Sequence, residues 1–220
     1  MKKTTFTKCL PAVLAMCMAT SVASADPAAS TAEYNLTLDD YIKITTPTVP
    51  TTAKVTYGEN YSTATNDGTL SGVFEVISNN REQLLYLKGE CPTSGGSTPA
   101  LYGANAGCTE LKLVFTKTDV PPASDSVTNI TSGSPSIESN PDAIAFKMTI
   151  STTHKHTQEG NETGTKPTAT WDTNKVKYSM KNGISTFTCN VTGANESGTF
   201  NTRDTDGTYQ ATLTLTESAT

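Results

Sequence analysis

The chain of 220 residues carries 16 Lys and Arg against 21 Asp and Glu, a net charge of −5 at pH 7, and only 17% of its residues are charged. A sparse and mildly acidic surface lacks the basic footprint that nucleic acid requires, which excludes that class of partner. Threonine accounts for 42 positions, and a β-branched residue in that excess favours strands over helix interiors.

The first residues read as a targeting segment. A basic start, Met1-Lys2-Lys3, precedes an apolar run from Leu10 to Ala19, broken only by Pro11. Small residues follow at Ala23 and Ala25, ahead of Asp26. This is the pattern of a secretory signal peptide over residues 1–25, too short and wrongly flanked for a spanning helix. A lipid-anchoring reading would end at Cys17, but Met16 is larger than the residue that such a site takes. The mature chain, from Asp26, is predicted to be exported and has the length of one domain.

Downstream, strand signals recur and no capped helical period of useful length is found. Tyr34, Leu36 and Leu38 alternate with polar residues, the pattern breaks at Asp39-Asp40, and it resumes at Ile42 and Ile44 until Pro47. AKVTYG is a short predicted strand, and LSGVFEVISN and EQLLYLKGEC are longer ones separated by the turn pair Asn79-Asn80. ELKLVFTKT and AIAFKMTIS alternate cleanly, with a Pro/Ser/Asn/Gly-rich loop predicted between them from Val120 to Asp142. Residues 152–168 are polar and read as a loop. TWDTNKVKYSM and ISTFTCNVTG follow as strands, and Asn182-Gly183 between them predicts a hairpin. The last strand, DGTYQATLTLTESAT, places Tyr209, Ala211, Leu213 and Leu215 on one face and threonines on the other. Many short strands at this spacing argue for an antiparallel β-sandwich of immunoglobulin type.

Beyond the signal peptide the cysteines are Cys91, Cys108 and Cys189. Cys91 and Cys108 flank a Gly/Ser/Pro-rich stretch, and in an oxidising compartment they are expected to form a disulfide. Closing that loop would add about 3 kcal/mol in the chain-entropy model. Cys189, in a strand-like run, reads as a small core residue, although its pairing with either other cysteine is open at this level.

Catalytic constellations are not evident. His154 and His156 would share a strand face, but no further ligand stands at metal spacing, and a solvated loop edge is the simpler reading. Asp204-Thr205-Asp206-Gly207 lacks the later ligands of a calcium loop and reads as a turn. Neither a metal, a cofactor nor an enzymatic activity is therefore expected.

The two ends carry the functional signal. The C-terminal Gly207-x-Tyr209 followed by Ala211, Leu213 and Leu215, with a signal peptide and an alternating apolar segment at the other end, resembles the subunits of chaperone–usher fimbriae, most of all those of CS1 or CFA/I type. The resemblance implies an immunoglobulin-like domain over residues 46–220 that lacks one strand, and an N-terminal extension over residues 26–45. It implies that Tyr34, Leu36 and Leu38 form the donor strand, or else that the later Ile42 and Ile44 fill the acceptor groove, while Gly207 to Leu215 edge the groove that receives a donor. The implied partners are neighbouring subunits, a periplasmic chaperone and an outer-membrane usher, and a host-surface receptor where the fibre adheres. Transit would run through the periplasm to a cell-surface fimbrium. A second resemblance, of GTYQATLTLT to the end of WxL cell-wall-binding domains, implies a secreted binding module for carbohydrate or cell wall instead. Trp171 is followed there by Asp172 and Thr173 rather than by the Trp-x-Leu motif. In that reading Tyr102, Trp171 and Tyr178 would form an aromatic platform.

Overall fold

Alternation of apolar and polar residues determines which faces of these strands can be buried, and the strands assemble accordingly. The computed structural model describes residues 36–48, 55–57, 64–66, 70–127, 142–156, 164–195 and 205–218. The predicted signal peptide, Tyr34 and most of the Val120–Asp142 loop lie outside them. In chain order the strands are β1 (Ile42–Thr48), β2 (Val55–Tyr57), β3 (Ala64–Asn66), β4 (Leu70–Ser78), β5 (Gln83–Thr93), β6 (Gly96–Pro99) and β7 (Leu101–Ala104). They continue with β8 (Glu110–Lys117), β9 (Ala143–Lys155), β10 (Thr168–Trp171), β11 (Lys175–Met180), β12 (Gly183–Asn195), β13 (Tyr209–Gln210) and β14 (Thr212–Glu217).

Two antiparallel sheets form a β-sandwich. One runs β1-β4-β12-β9-β8-β13, with β7 also beside β8. The other runs β10-β11-β5-β14, with β6 beside β5. A separate small sheet pairs β2 with β3. The inward residues of the first sheet include Val76, Phe187, Cys189, Met148, Ile150 and Leu113, all buried. Those of the second include Leu85, Leu87, Val176, Tyr178, Met180 and Leu215. The layers lock where the Tyr178 and Phe187 rings meet edge to face, 4.8 Å between centroids. Aromatic pairs in such geometry contribute about 0.5–1.5 kcal/mol beyond their buried area.

At Gly89 the two sheets approach each other closely. A Cβ there would lie 2.7 Å from Leu101 Cγ and 3.1 Å from Leu113 Cδ1. Ala100 bridges the same point, donating to Gly89 O at 2.8 Å and accepting from Val114 N at 2.9 Å. Only a residue without a side chain lets β5 pass this close to β7 and β8.

Several sequence expectations are corrected. The segment between Cys91 and Cys108 is not an open loop: β6 turns back on β5, with Cys91 opposite Thr98. TWDTNKVKYSM is a hairpin rather than one strand, turning at Thr173 and Asn174, whose φ angles are 36° and 64°. Asn182-Gly183 makes no hairpin. Met180 pairs with Gln83 in the second sheet and Gly183 with Ser78 in the first, so the chain crosses between layers there. β9 runs on through Thr152, Thr153 and His154, which read as loop, because β12 supplies a partner for each of them. Finally, Ile42 and Ile44 belong to β1 and pair with Ser78 and Val76. The extension therefore stops short of residue 45, and the folded unit begins at Asp39.

Candidate functional site

The start of the domain is held by one side chain. Asn79 Oδ1 accepts from Tyr41 N at 2.7 Å, and Asn79 Nδ2 donates to Asp39 O at 2.8 Å. Its own backbone N donates to Tyr41 O at 3.1 Å. Asn79 thus clamps residues 39–41 immediately ahead of β1. The sequence marks this asparagine only as a turn residue, since its partners lie about forty positions away and follow no local pattern. Before the clamp, Leu36 is 95% exposed and Leu38 79% exposed. Leucines in alternation at that exposure leave apolar surface in water, worth roughly 1.5–3 kcal/mol for each that is buried fully.

At the other end, Gly207 has φ +146° and sits against the aliphatic stem of Lys117, 2.6 Å from where a Cβ would fall. The turn delivers Tyr209 to β13, opposite Lys117, and the Tyr209 hydroxyl donates to Thr205 O at 2.8 Å. The chain then leaves the first sheet at Ala211 and enters the second as β14, with Leu215 opposite Leu87 and Thr214 opposite Lys88. The predicted facing is borne out: Leu213 and Leu215 turn to the core, while Thr212 and Thr214 are exposed. Leu215, however, is already covered by its own sandwich, at 6% exposure. What β14 leaves open is its backbone: it pairs with β5 on one side, and among the described residues no strand pairs with the other. β1 and β10 are likewise edge strands. Ile42 and Ile44, opposite the buried Ser78 and Val76, are half-buried on the inward side of β1. An unpaired edge is a ready template for a further strand.

The predicted disulfide is not present: Cys91, Cys108 and Cys189 are buried free thiols. Topology keeps the first two apart. Pro92, next to Cys91, accepts from Thr116 Oγ1 at 2.5 Å near the end of β8, whereas Cys108 precedes the start of that strand. At about 3.3 Å per strand residue this separates them by roughly 25 Å, far beyond the roughly 7 Å that a disulfide spans between Cα atoms. Burial pushes the Cys91 thiol up to about 11 and the Cys189 thiol up to about 12, and raises Cys108 as well. Thiols held protonated are poor nucleophiles. The expected core placement of Cys189 is met, at 2% exposure.

The aromatic platform fails too. Tyr102 and Tyr178 are core residues at 3% and 1% exposure, leaving Trp171 as the one surface member, at 37%. Among the described residues no cluster of three or more His, Cys, Asp or Glu could hold a metal, and no helix is long and apolar enough to cross a membrane.

His154 is not on a solvated edge but buried at 3% exposure. Its Nδ1 shares a hydrogen bond of 2.8 Å with Ser185 Oγ, and its Nε2 is buried without a partner. Gly164 and Gly183 close over the ring, each with no room for a Cβ, and the His156 ring meets it edge to face at 5.4 Å. Burial first, and then the neighbouring His156, lower the His154 pKa, with the Asn182 backbone opposing them. A histidine kept neutral in the fold is protonated more readily when unfolded. Its contribution is therefore complete above the ordinary histidine pKa and is lost as pH falls through that value toward the depressed native one. The melting temperature is expected to drop between pH 7 and 5, and His154→Asn should flatten that slope relative to wild type in parallel thermal scans.

Comparison of the chain with protein-family models, with curated proteins and with solved structures finds no match.

Proposed function

We propose that the protein is a non-enzymatic structural subunit of a bacterial surface fibre, in which the segment ahead of Asp39 of one copy adds as a strand to the sandwich of the next. The observation that carries this reading is the pair Leu36 and Leu38, alternating and almost fully exposed ahead of a clamped domain start. The edges of β14, β1 and β10, which pair with no further strand among the described residues, offer the complementary surface. In β-strand addition the backbone ladder supplies affinity and alternate side chains supply specificity. The exported chain would need protection of those edges before assembly, the role of a periplasmic chaperone, and an outer-membrane usher would order the subunits.

The test is a synthetic peptide of residues 26–40 added to a subunit truncated before Asp39. A ligand that binds only the folded state stabilises it by mass action, by about 2.7 kcal/mol at a hundredfold excess over Kd. A dose-dependent rise in melting temperature is expected, and a peptide carrying Leu36→Asp and Leu38→Asp should give none. No shift at saturating wild-type peptide would defeat the proposal.

A further inference from the structure

The outward face of the sheet β10-β11-β5-β14 has a composition at odds with the rest of this acidic chain. Register places Thr170, Lys177, Tyr86 and Thr216 in one row across the four strands. The adjacent row holds Lys175, Lys88 and Thr214. Three lysines and a tyrosine thus stand on neighbouring lattice points, with Lys175 directly opposite Lys88. Like charges in that relation destabilise a sheet.

Two exposed lysines elsewhere on the described surface are neutralised by ion pairs. Lys147 meets Glu110 at 2.8 Å, and Lys181 meets Glu82 at 2.6 Å. On the sheet face only Lys175 has such a partner, Asp172 at 3.4 Å in the β10–β11 turn, and its Nζ also lies 4.3 Å from the Tyr86 ring centroid. Lys88 and Lys177 make no ion pair with any described residue. Glu90, the next outward residue on β5, accepts instead from Ser97 Oγ at 3.4 Å. Lys88 and Thr214 are exposed and Lys177 half-exposed, so the charges are available at the surface.

We infer that this face binds a polyanionic, hydroxyl-rich chain, a sulfated or uronic-acid polysaccharide. The unpaired ammonium groups of Lys88 and Lys177 supply the charge complementarity. The hydroxyls of Thr170, Thr214 and Thr216 lie in the same two rows, and each can both donate to and accept from a polyol. The sheet presents these groups at a regular pitch of about 5 Å between strands, which suits an extended repeating ligand better than a compact one. The inference goes beyond the fibre reading and does not depend on it.

Heparin is the probe, titrated calorimetrically into the full mature chain at low ionic strength. Binding should weaken linearly in log Kd against log salt, as counterion release requires. The double variant Lys88→Gln/Lys177→Gln should bind at least tenfold more weakly with a melting temperature no lower than wild type, because neither side chain is buried and the change relieves the Lys88–Lys175 repulsion. The control Lys147→Gln/Lys181→Gln, which removes the same charge from paired sites, should stay within twofold of wild type. Absence of heparin binding at low salt would overturn the inference. So would equal weakening by the control variant, or polyglutamate binding as tightly as heparin.

Discussion

Leu215→Asp should leave the protein largely unfolded at 37 °C, whereas Thr214→Asp one position earlier should fold with near wild-type stability. Leu215 lies opposite Leu87, with 6% and 0% of their respective surfaces exposed. Removing the leucine forfeits roughly 1.5–3 kcal/mol of burial, and a carboxylate stranded in its place costs several more or must bind a proton. Domains of this size are stable by about 5–15 kcal/mol in total, so the sum takes most of the margin. Thr214 is exposed and opposite Lys88. An aspartate there meets an unpaired ammonium across the strand, and the change should stay within about 0.5 kcal/mol. Leu213, only partly buried, should fall between the two. Urea unfolding of the purified variants ranks them, and an order other than Leu215, Leu213, Thr214 would contradict the placement of β14.

The same strand shows what a sequence can reveal. Period-2 alternation identified β4, β5, β11, β12 and β14, whose apolar residues record a dry face directly, and also β8 and the first part of β9, although consecutive residues are buried on both faces from Leu113 to Lys117 and from Ala143 to Phe146. The polar half of β9 was illegible: Thr152 to His154 carry no apolar mark, and His154 is buried through Ser185, which lies in a different strand. Turn chemistry proved local. Asn182-Gly183 supplies a tight reversal, with Gly183 at φ +132°, but no dipeptide encodes whether the next strand returns to the same sheet. At Thr173-Asn174 the reverse occurs, since a hairpin turn is made where no glycine announces it. The disulfide expectation failed for a related reason. Loop composition is a local property, and the distance between Cys91 and Cys108 is set by the length of β8. Of the candidate site, the exposed leucines and the facing of the last strand were legible. The Asn79 clamp and the lysine lattice needed the register.

Two truncations should behave oppositely, and together they bear on both the domain boundary and the mechanism. Removing residues 26–38 takes away Leu36 and Leu38, which are exposed, and leaves the Asn79 contacts to Asp39 and Tyr41 in place. The melting temperature should therefore hold within a few degrees, since surface changes away from buried features stay within about 0.5 kcal/mol. Removing residues 26–45 also deletes Asn79's partners and most of the β1–β4 ladder, with the half-buried Ile42 and Ile44. Full burial of two such side chains is worth roughly 3–6 kcal/mol, and half of that, together with the lost clamp, is a substantial fraction of a domain's stability. The longer truncation should accordingly melt well below the shorter. Assembly separates them from the intact chain in a different way. If strand addition links the copies as proposed, the chain from Asp26 should form oligomers, and the shorter truncation should stay folded and monomeric by size exclusion at the same concentrations, because it would accept a strand but have none to give. Mixed with the full chain it should cap growth, shortening oligomers in proportion to its share. Oligomers of undiminished length from the truncated chain alone would mean that the exposed leucines do not link one copy to the next.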